Sequence, residues 1–147
     1  YCQVEEQTYW DWLDIKAGIP DVLIATQEQF VPQMLNLDLL NGINFKKGCY
    51  TGQEIVARTH YLGSAKRRTY LVEISLADKS SAELPKAGDK VFDASKNEIG
   101  QFVRVANIAE NQFDALVELR IESAIAGKVF WNQTTVNFNA LPYNLES

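Results

Sequence analysis

The spacing of apolar positions changes near residue 65. From Lys66 onward the period is two. Tyr70, Val72 and Ile74 alternate with Thr69, Leu71 and Glu73. Phe113, Ala115, Val117, Leu119 and Ile121 alternate with Asp114, Leu116, Glu118, Arg120 and Glu122. Alternation of this kind places the two sets on opposite faces of a sheet. Shorter extended stretches follow at 90–93, 99–108, 129–131 and 135–139, with a polar loop at 79–85, a turn over 94–100 and a hairpin loop at 109–112. Several short strands at regular spacing predict a small antiparallel barrel or sandwich. Before residue 65 the pattern is helical or irregular. Residues 1–7 read as a strand end and a turn. Thr8 is placed to cap a helix over 9–17, with Gly18 as the natural residue past its end and Pro20 preventing continuation. Tyr9, Trp10, Trp12, Leu13, Ile15 and Ala17 make that helix apolar on more than one side, which predicts burial on more than one side. Residues 27–45 read as an irregular connector with a helical turn near 34–40, a turn at Asn41-Gly42 and a brief strand at 43–45. The predicted fold class is α+β, with a soft boundary between residues 1–65 and 66–147.

Residues 46–58 concentrate the candidate chemistry. Thr51 and Glu54 have the T-x-x-E spacing of a capping box, which predicts a short helix from Gly52 to about Thr59. Cys49 lies two residues before that cap, at the positive end of the helix dipole, with Lys46, Lys47, Arg58 and His60 flanking it in sequence. A thiol so placed is more acidic and more reactive than a free one. Gly48 and Gly52 bracket it and allow a tight backbone and close approach of a ligand. The plainer reading is a small buried hydrophobe beside an ordinary helix start. His60 stands at the far end of a helix about 12–14 Å long, so a Cys–His dyad requires the chain to fold back.

The run K-G-C-Y-T-G-Q-E, residues 47–54, resembles the signature of the YgfZ branch of the GcvT superfamily, folate-binding proteins implicated in iron–sulfur cluster maintenance. Gln29-Phe30-Val31-Pro32-Gln33, Asn36-Leu37, Phe45, Ala17-Gly18-Ile19-Pro20 and Leu141-Pro142-Tyr143 fit the same pattern. The resemblance implies a GcvT/YgfZ-like fold. Residues 1–65 would be the C-terminal part of a folate-binding region, preceded by a larger N-terminal region, and 66–147 a C-terminal antiparallel β-barrel domain. It implies tetrahydrofolate or a folate derivative as cofactor. It implies iron–sulfur enzymes or assembly proteins as partners, and support of tRNA modification as the outcome. Cys49 would carry the chemistry. Lys47, Tyr50 and Arg58 would contact the ligand, and Trp10 would stack on a pterin. Gly48, Thr51, Gly52, Gln53 and Glu54 would hold the motif's shape. One position departs from the family. Where GcvT-like proteins commonly place a glutamate before the Gly-Ile-Pro step, this chain has Lys16. An ammonium cannot accept hydrogen bonds from a pterin's donor edge. Lys16 and the motif cysteine both count against the alternative, a tetrahydrofolate-dependent aminomethyltransferase.

Composition narrows the remaining classes. Apolar content of 46% and charged content of 22% are those of a globular protein. No apolar run approaches the ~20 residues of a membrane span, and no signal-peptide pattern is present. The chain begins with Tyr1 in what reads as the inside of an element, so a C-terminal piece of a longer protein is expected. Cys2 and Cys49 make neither a disulfide framework nor a C-x-x-C knuckle, which suits a reducing cytoplasm; Cys2 reads as a plain thiol. The net charge of −5 hides a basic island, in which Lys46, Lys47, Arg58, Lys66, Arg67 and Arg68 face only Glu54 over residues 46–68. Such an island predicts an anionic ligand: a folate tail, a phosphate or an RNA backbone. Its aromatics, Tyr50, Tyr61 and Tyr70, are too sparse for a base-stacking platform, so direct nucleic-acid binding is not expected. There is no Ser/His/Asp set, H-E-x-x-H or Walker loop, and the acid pairs Glu5/Glu6 and Asp11/Asp14 read as surface. No stably bound metal is expected. An accessory factor is favoured over a standalone enzyme, the plainest alternative being a scaffold for the missing region.

Overall fold

The two alternating stretches form the spine of the fold. In the computed structural model, which describes residues 7–63, 65–77 and 83–145, β1 (Arg67–Ser75) pairs antiparallel with β4 (Gln112–Arg120) along its whole length. β2 (Lys90–Phe92), β3 (Glu98–Ala109), β5 (Val129–Trp131) and β6 (Thr134–Asn139) complete the set. The order β1-β4-β3-β2-β5-β6 closes when β6 returns to β1, giving a six-stranded antiparallel barrel. Closure leaves no open sheet edge. The strand expected to run on through Ile121 and Glu122 instead ends at Arg120. A short helix α3 (Ile121–Ala126) follows, stopped by Gly127 at φ +71°, whose N–H donates to the Ser123 and Ala124 carbonyls.

The inward set is the predicted one. Val72, Ile74, Phe113, Ala115, Val117 and Leu119 meet Val91, Phe102, Val129, Trp131 and Val136 inside the barrel. Each Val, Leu, Ile or Phe side chain among them, fully buried, contributes about 1.5–3 kcal/mol. The opposite face of β1, β3 and β4 is buried as well. Leu71, Val103, Ala106 and Leu116 form a second cluster with Ile15 and Leu35, against which Trp12, Phe30, Leu37 and Leu141 pack. This cluster takes residues from both sides of residue 65. A bulge between Phe102 and Arg104 lets β3 serve both layers, since the phase of its alternation changes there. Gly100 is required by close approach: a Cβ there would lie 1.9 Å from the Glu118 carbonyl oxygen.

Helix α1 (Gln7–Lys16) lies on β3 and β4. Thr8 falls inside it rather than at its cap. The far end matches expectation. Gly18 at φ +70° donates to Ile15 O (3.0 Å) and Ile19 donates to Asp14 O (2.9 Å), the two hydrogen bonds of a Schellman stop. Burial on more than one side is not observed. Ile15 is the helix's one fully buried residue, while Tyr9 and Trp10 are 46% and 58% exposed. One face docks on β3 and β4. Asp11 and Asp14, expected as plain surface acids, pair with buried Arg104 at 2.8 and 3.1 Å. The Trp12 indole donates to buried Asp114 (2.8 Å), which also pairs with Lys16 at 3.3 Å.

The connector 27–45 is irregular, with a 3₁₀ turn at Pro32–Leu35. Asn36, fully buried at φ +59°, follows it and completes a strand by proxy. β6 pairs with β1 only from Leu71 onward, so Thr69 lacks a strand partner on that side. The Asn36 carboxamide accepts from Thr69 N–H (3.3 Å) and donates to Thr69 O (2.7 Å). Tyr143 joins the same seam, donating to Gly18 O at 2.8 Å and accepting from Asn36 at 3.2 Å. The turn at Asn41-Gly42 forms, with Asn41 at φ +56° and Gly42 N–H on Leu37 O. The brief strand expected at 43–45 does not. Cys2, Glu5, Glu6, the expected first turn and part of the 79–85 loop lie outside the described residues.

Candidate functional site

Residues 44–62 form a loop and helix whose two ends meet. Lys46 N–H donates to Asn44 Oδ1 (2.9 Å), opening the loop. Helix α2 (Gln53–Leu62) closes it. The Phe45 ring stacks on His60, with centroids 3.8 Å apart and planes at 12°, and Tyr61 sets its edge against both. The chain thus does fold back to His60, but it brings Phe45 there and not Cys49. Among the described residues no hydrogen bond involves Cys49, and it is exposed.

The helix starts differently from the capping box. Gly52, not Thr51, is the cap residue, at φ +85°, and no side chain caps the helix. The left-handed turn moves the frame by one residue, so Thr51 lies outside the helix and Glu54 falls too early to reach back. Gln53 N–H instead donates to Tyr50 O (3.2 Å). Glycine is needed at position 52 for this conformation. At Gly48 nothing lies within 4 Å of an added Cβ, so no close approach requires glycine there. Thr51 and Glu54 are exposed and Gln53 is half-buried.

Lys47 Nζ sits 4.7 Å from the centre of the Tyr50 ring, a cation–π pair on either side of Cys49 in sequence. Arg58 lines a shallow, open depression of 450 Å³ with Glu54, Ala57 and Tyr61. The whole unit has slender support. Among the described side chains of α2, Val56 is the one that reaches the interior, 6% exposed, and Gln33 Nε2 donates to its carbonyl at 2.6 Å. Ile55 and Tyr61 face outward, 59% and 66% exposed.

The basic island divides in two. Arg67 clasps buried Glu118 through Nε and Nη2 and also donates to Ile99 O; the Glu118 hydrogen bond holds its guanidinium above the usual range. Arg68 makes a forked pair with Asp38 at 2.6 and 3.0 Å and donates to Gln33 O. These two charges are spent within the fold. Lys46, Lys47, Arg58 and Lys66 have no ion-pair partner among the described residues.

Trp10 belongs elsewhere. It stands on α1, which rests on β3 and β4, and no ring contact or hydrogen bond joins it to the motif among the described residues. Its exposed indole offers a stacking face. The neighbouring polar groups do not fit a pterin's donor edge: Lys16 is turned to Asp114, and Asp11 and Asp14 are held by Arg104. Among the described residues no group of three or more His, Cys, Asp or Glu side chains is placed to hold a metal ion. No helix among the described residues is long and apolar enough to cross a membrane. No family model matches the chain.

Sequence reasoning missed Phe45, Tyr61 and Gln33 as the supports of the motif. An aromatic on each side of the loop was the one available signal for the first two. For Gln33 there was none, because its use depends on where the Pro32–Leu35 turn meets α2.

Proposed function

We propose that this chain is part of a folate-binding accessory protein of the YgfZ type, supporting assembly or repair of iron–sulfur clusters and through them tRNA modification, with Cys49 as its reactive residue. The observation that carries this reading is the exposed, unbonded thiol of Cys49 within K-G-C-Y-T-G-Q-E, on a loop closed by Phe45 and His60 and free of buried charge partners. An exposed thiolate can serve as one ligand to iron held by a partner protein, the cluster being the partner's cargo. Lys47 and Arg58 have no ion-pair partner among the described residues and are available to an anionic partner or a ligand carboxylate. The folate part rests on the motif's resemblance and on Trp10 as a free stacking face. On α1 the carboxylates of Asp11 and Asp14 are already paired with Arg104, and the folate takes no part in the chemistry assigned to Cys49.

The test is activity of an iron–sulfur enzyme, such as a tRNA-methylthiolating radical enzyme, in cells lacking this protein. The cells receive full-length wild type or Cys49→Ala. Loss of rescue by a folded, abundant variant is the expected result. Full rescue would show that the thiol carries nothing and would move the function to another surface.

A further inference from the structure

The outer flank of β2 and β5, which no described element covers, carries a cleft unrelated to the motif. Alternation turns Val91, Val129 and Trp131 into the barrel core. Phe92 and Phe130, directly opposite each other in the ladder, therefore face outward, half-buried. Together with Asp93, Ala94, Lys96, Asn132 and Gln133 they line a cavity of 530 Å³. Its walls are two tight turns. In the first, Asp93 accepts from Ser95 N–H, Asn97 N–H and the Asn97 carboxamide, while Lys96 N–H donates to Asp93 O. In the second, Asn132 and Gln133 both have positive φ (42° and 68°), and Asn132 is tied to Glu83 at 3.1 Å. Lys96 is itself at φ +64°. A lysine and a glutamine held in the left-handed region are costly placements that the surrounding turns enforce.

The chemistry of the lining is specific. Two rings supply an apolar floor. Among the described residues lining the cleft the acid is Asp93, and it is engaged within its own turn. Lys96 has no ion-pair partner among the described residues, and the Gln133 carboxamide has no hydrogen-bond partner among them. We propose that this cleft binds a small planar aromatic carboxylate, its ring against Phe92 and Phe130 and its carboxylate on Lys96. The proposal is independent of the motif and of the function proposed above.

An NMR titration of the ¹⁵N-labelled chain with 2-naphthoate tests it, with 2-naphthylmethanol as the uncharged counterpart. Saturable shifts are expected at amides of residues 92–97 and 130–133, with Kd in about the millimolar range for so shallow a site. Lys96→Gln should weaken naphthoate by about three- to fivefold, the worth of a solvent-exposed ion pair, and leave the alcohol unchanged. Phe130→Ala should weaken both. Should that variant fail to fold, Lys96→Gln on its exposed turn carries the test alone. The proposal is overturned by shifts that stay linear to about 20 mM, by saturation centred elsewhere, or by a naphthoate affinity that Lys96→Gln leaves unchanged.

Discussion

The barrel with its docked N-terminal layer and the motif loop with α2 are built by opposite rules. In the barrel nearly every charge that folding buries has a partner: Arg67 with Glu118, Arg68 with Asp38, Arg104 with Asp11 and Asp14. β1, β3 and β4 are packed on both faces. Among its described side chains the motif unit has one that is well buried, Val56, together with a hydrogen bond from Gln33 and the Phe45–His60 stack. Its cations and its thiol remain unspent. Stability and chemical availability are thus separated along the chain, as they must be, because a buried and fully paired group has nothing left to offer a ligand.

The comparison can be broken most forcefully in the barrel. Phe102, fully buried between the strands, should cost about 3–5 kcal/mol when replaced by alanine, read as a lower urea midpoint. Gly100→Ala, driving a Cβ into the Glu118 carbonyl, should cost about 3 kcal/mol. Next comes Asn36→Ala, which strands the buried N–H and C=O of Thr69. A loss of about 2–3 kcal/mol is expected, and a loss below about 0.5 kcal/mol would mean that Asn36 does not complete the sheet.

Alkaline pH probes the same seam. Burial pushes the phenols of Tyr70 and Tyr143 up; for Tyr143 the Asn36 hydrogen bond and the Arg68 charge pull partly back. The unfolded phenol ionises near pH ~10 while the folded one keeps its proton. Stability is therefore complete below that pH and falls as pH rises through the folded value. Tyr143→Phe should flatten that slope in urea melts taken above pH ~10; an unchanged slope would show that the seam does not shield the phenol.

The smallest effects belong to the motif and sharpen the contrast. Gly52→Ala must hold a left-handed residue and should cost about 1 kcal/mol. Cys49→Ala should change stability by less than about 0.5 kcal/mol while abolishing rescue of the iron–sulfur enzyme. A stability loss above about 1.5 kcal/mol would make Cys49 a packing residue and erase the contrast.

Much of the barrel was legible because β-alternation is a local signal. Val72, Ile74, Phe113, Ala115, Val117 and Leu119 point inward as their spacing requires. The hairpin at 109–112 and the Gly18 stop were equally readable. The capping box was not borne out, since a spacing of residue types cannot reveal that Gly52 turns left-handed and shifts the frame. The double burial of β1 and β4 was also hidden: Asp114 and Glu118 look like solvent-facing positions until Trp12, Lys16 and Arg67 arrive to pair with them. Of the candidate site, the sequence located the motif and its cysteine. It overstated the basic island, because two of its six cations serve the fold.

Residue order alone sets which positions alternate, where turns break the chain and which short stretch carries a thiol among cations. These are properties of neighbours along the backbone. Only the tertiary structure decided that the strands close into a barrel, that Gly18 near one end meets Leu141 and Tyr143 near the other, and that Arg67 and Arg68 are consumed while Lys47 and Arg58 are not. Those outcomes depend on which distant groups share a low-dielectric interior, where an unpaired charge or peptide group is too costly to leave alone, and no local pattern encodes the partner.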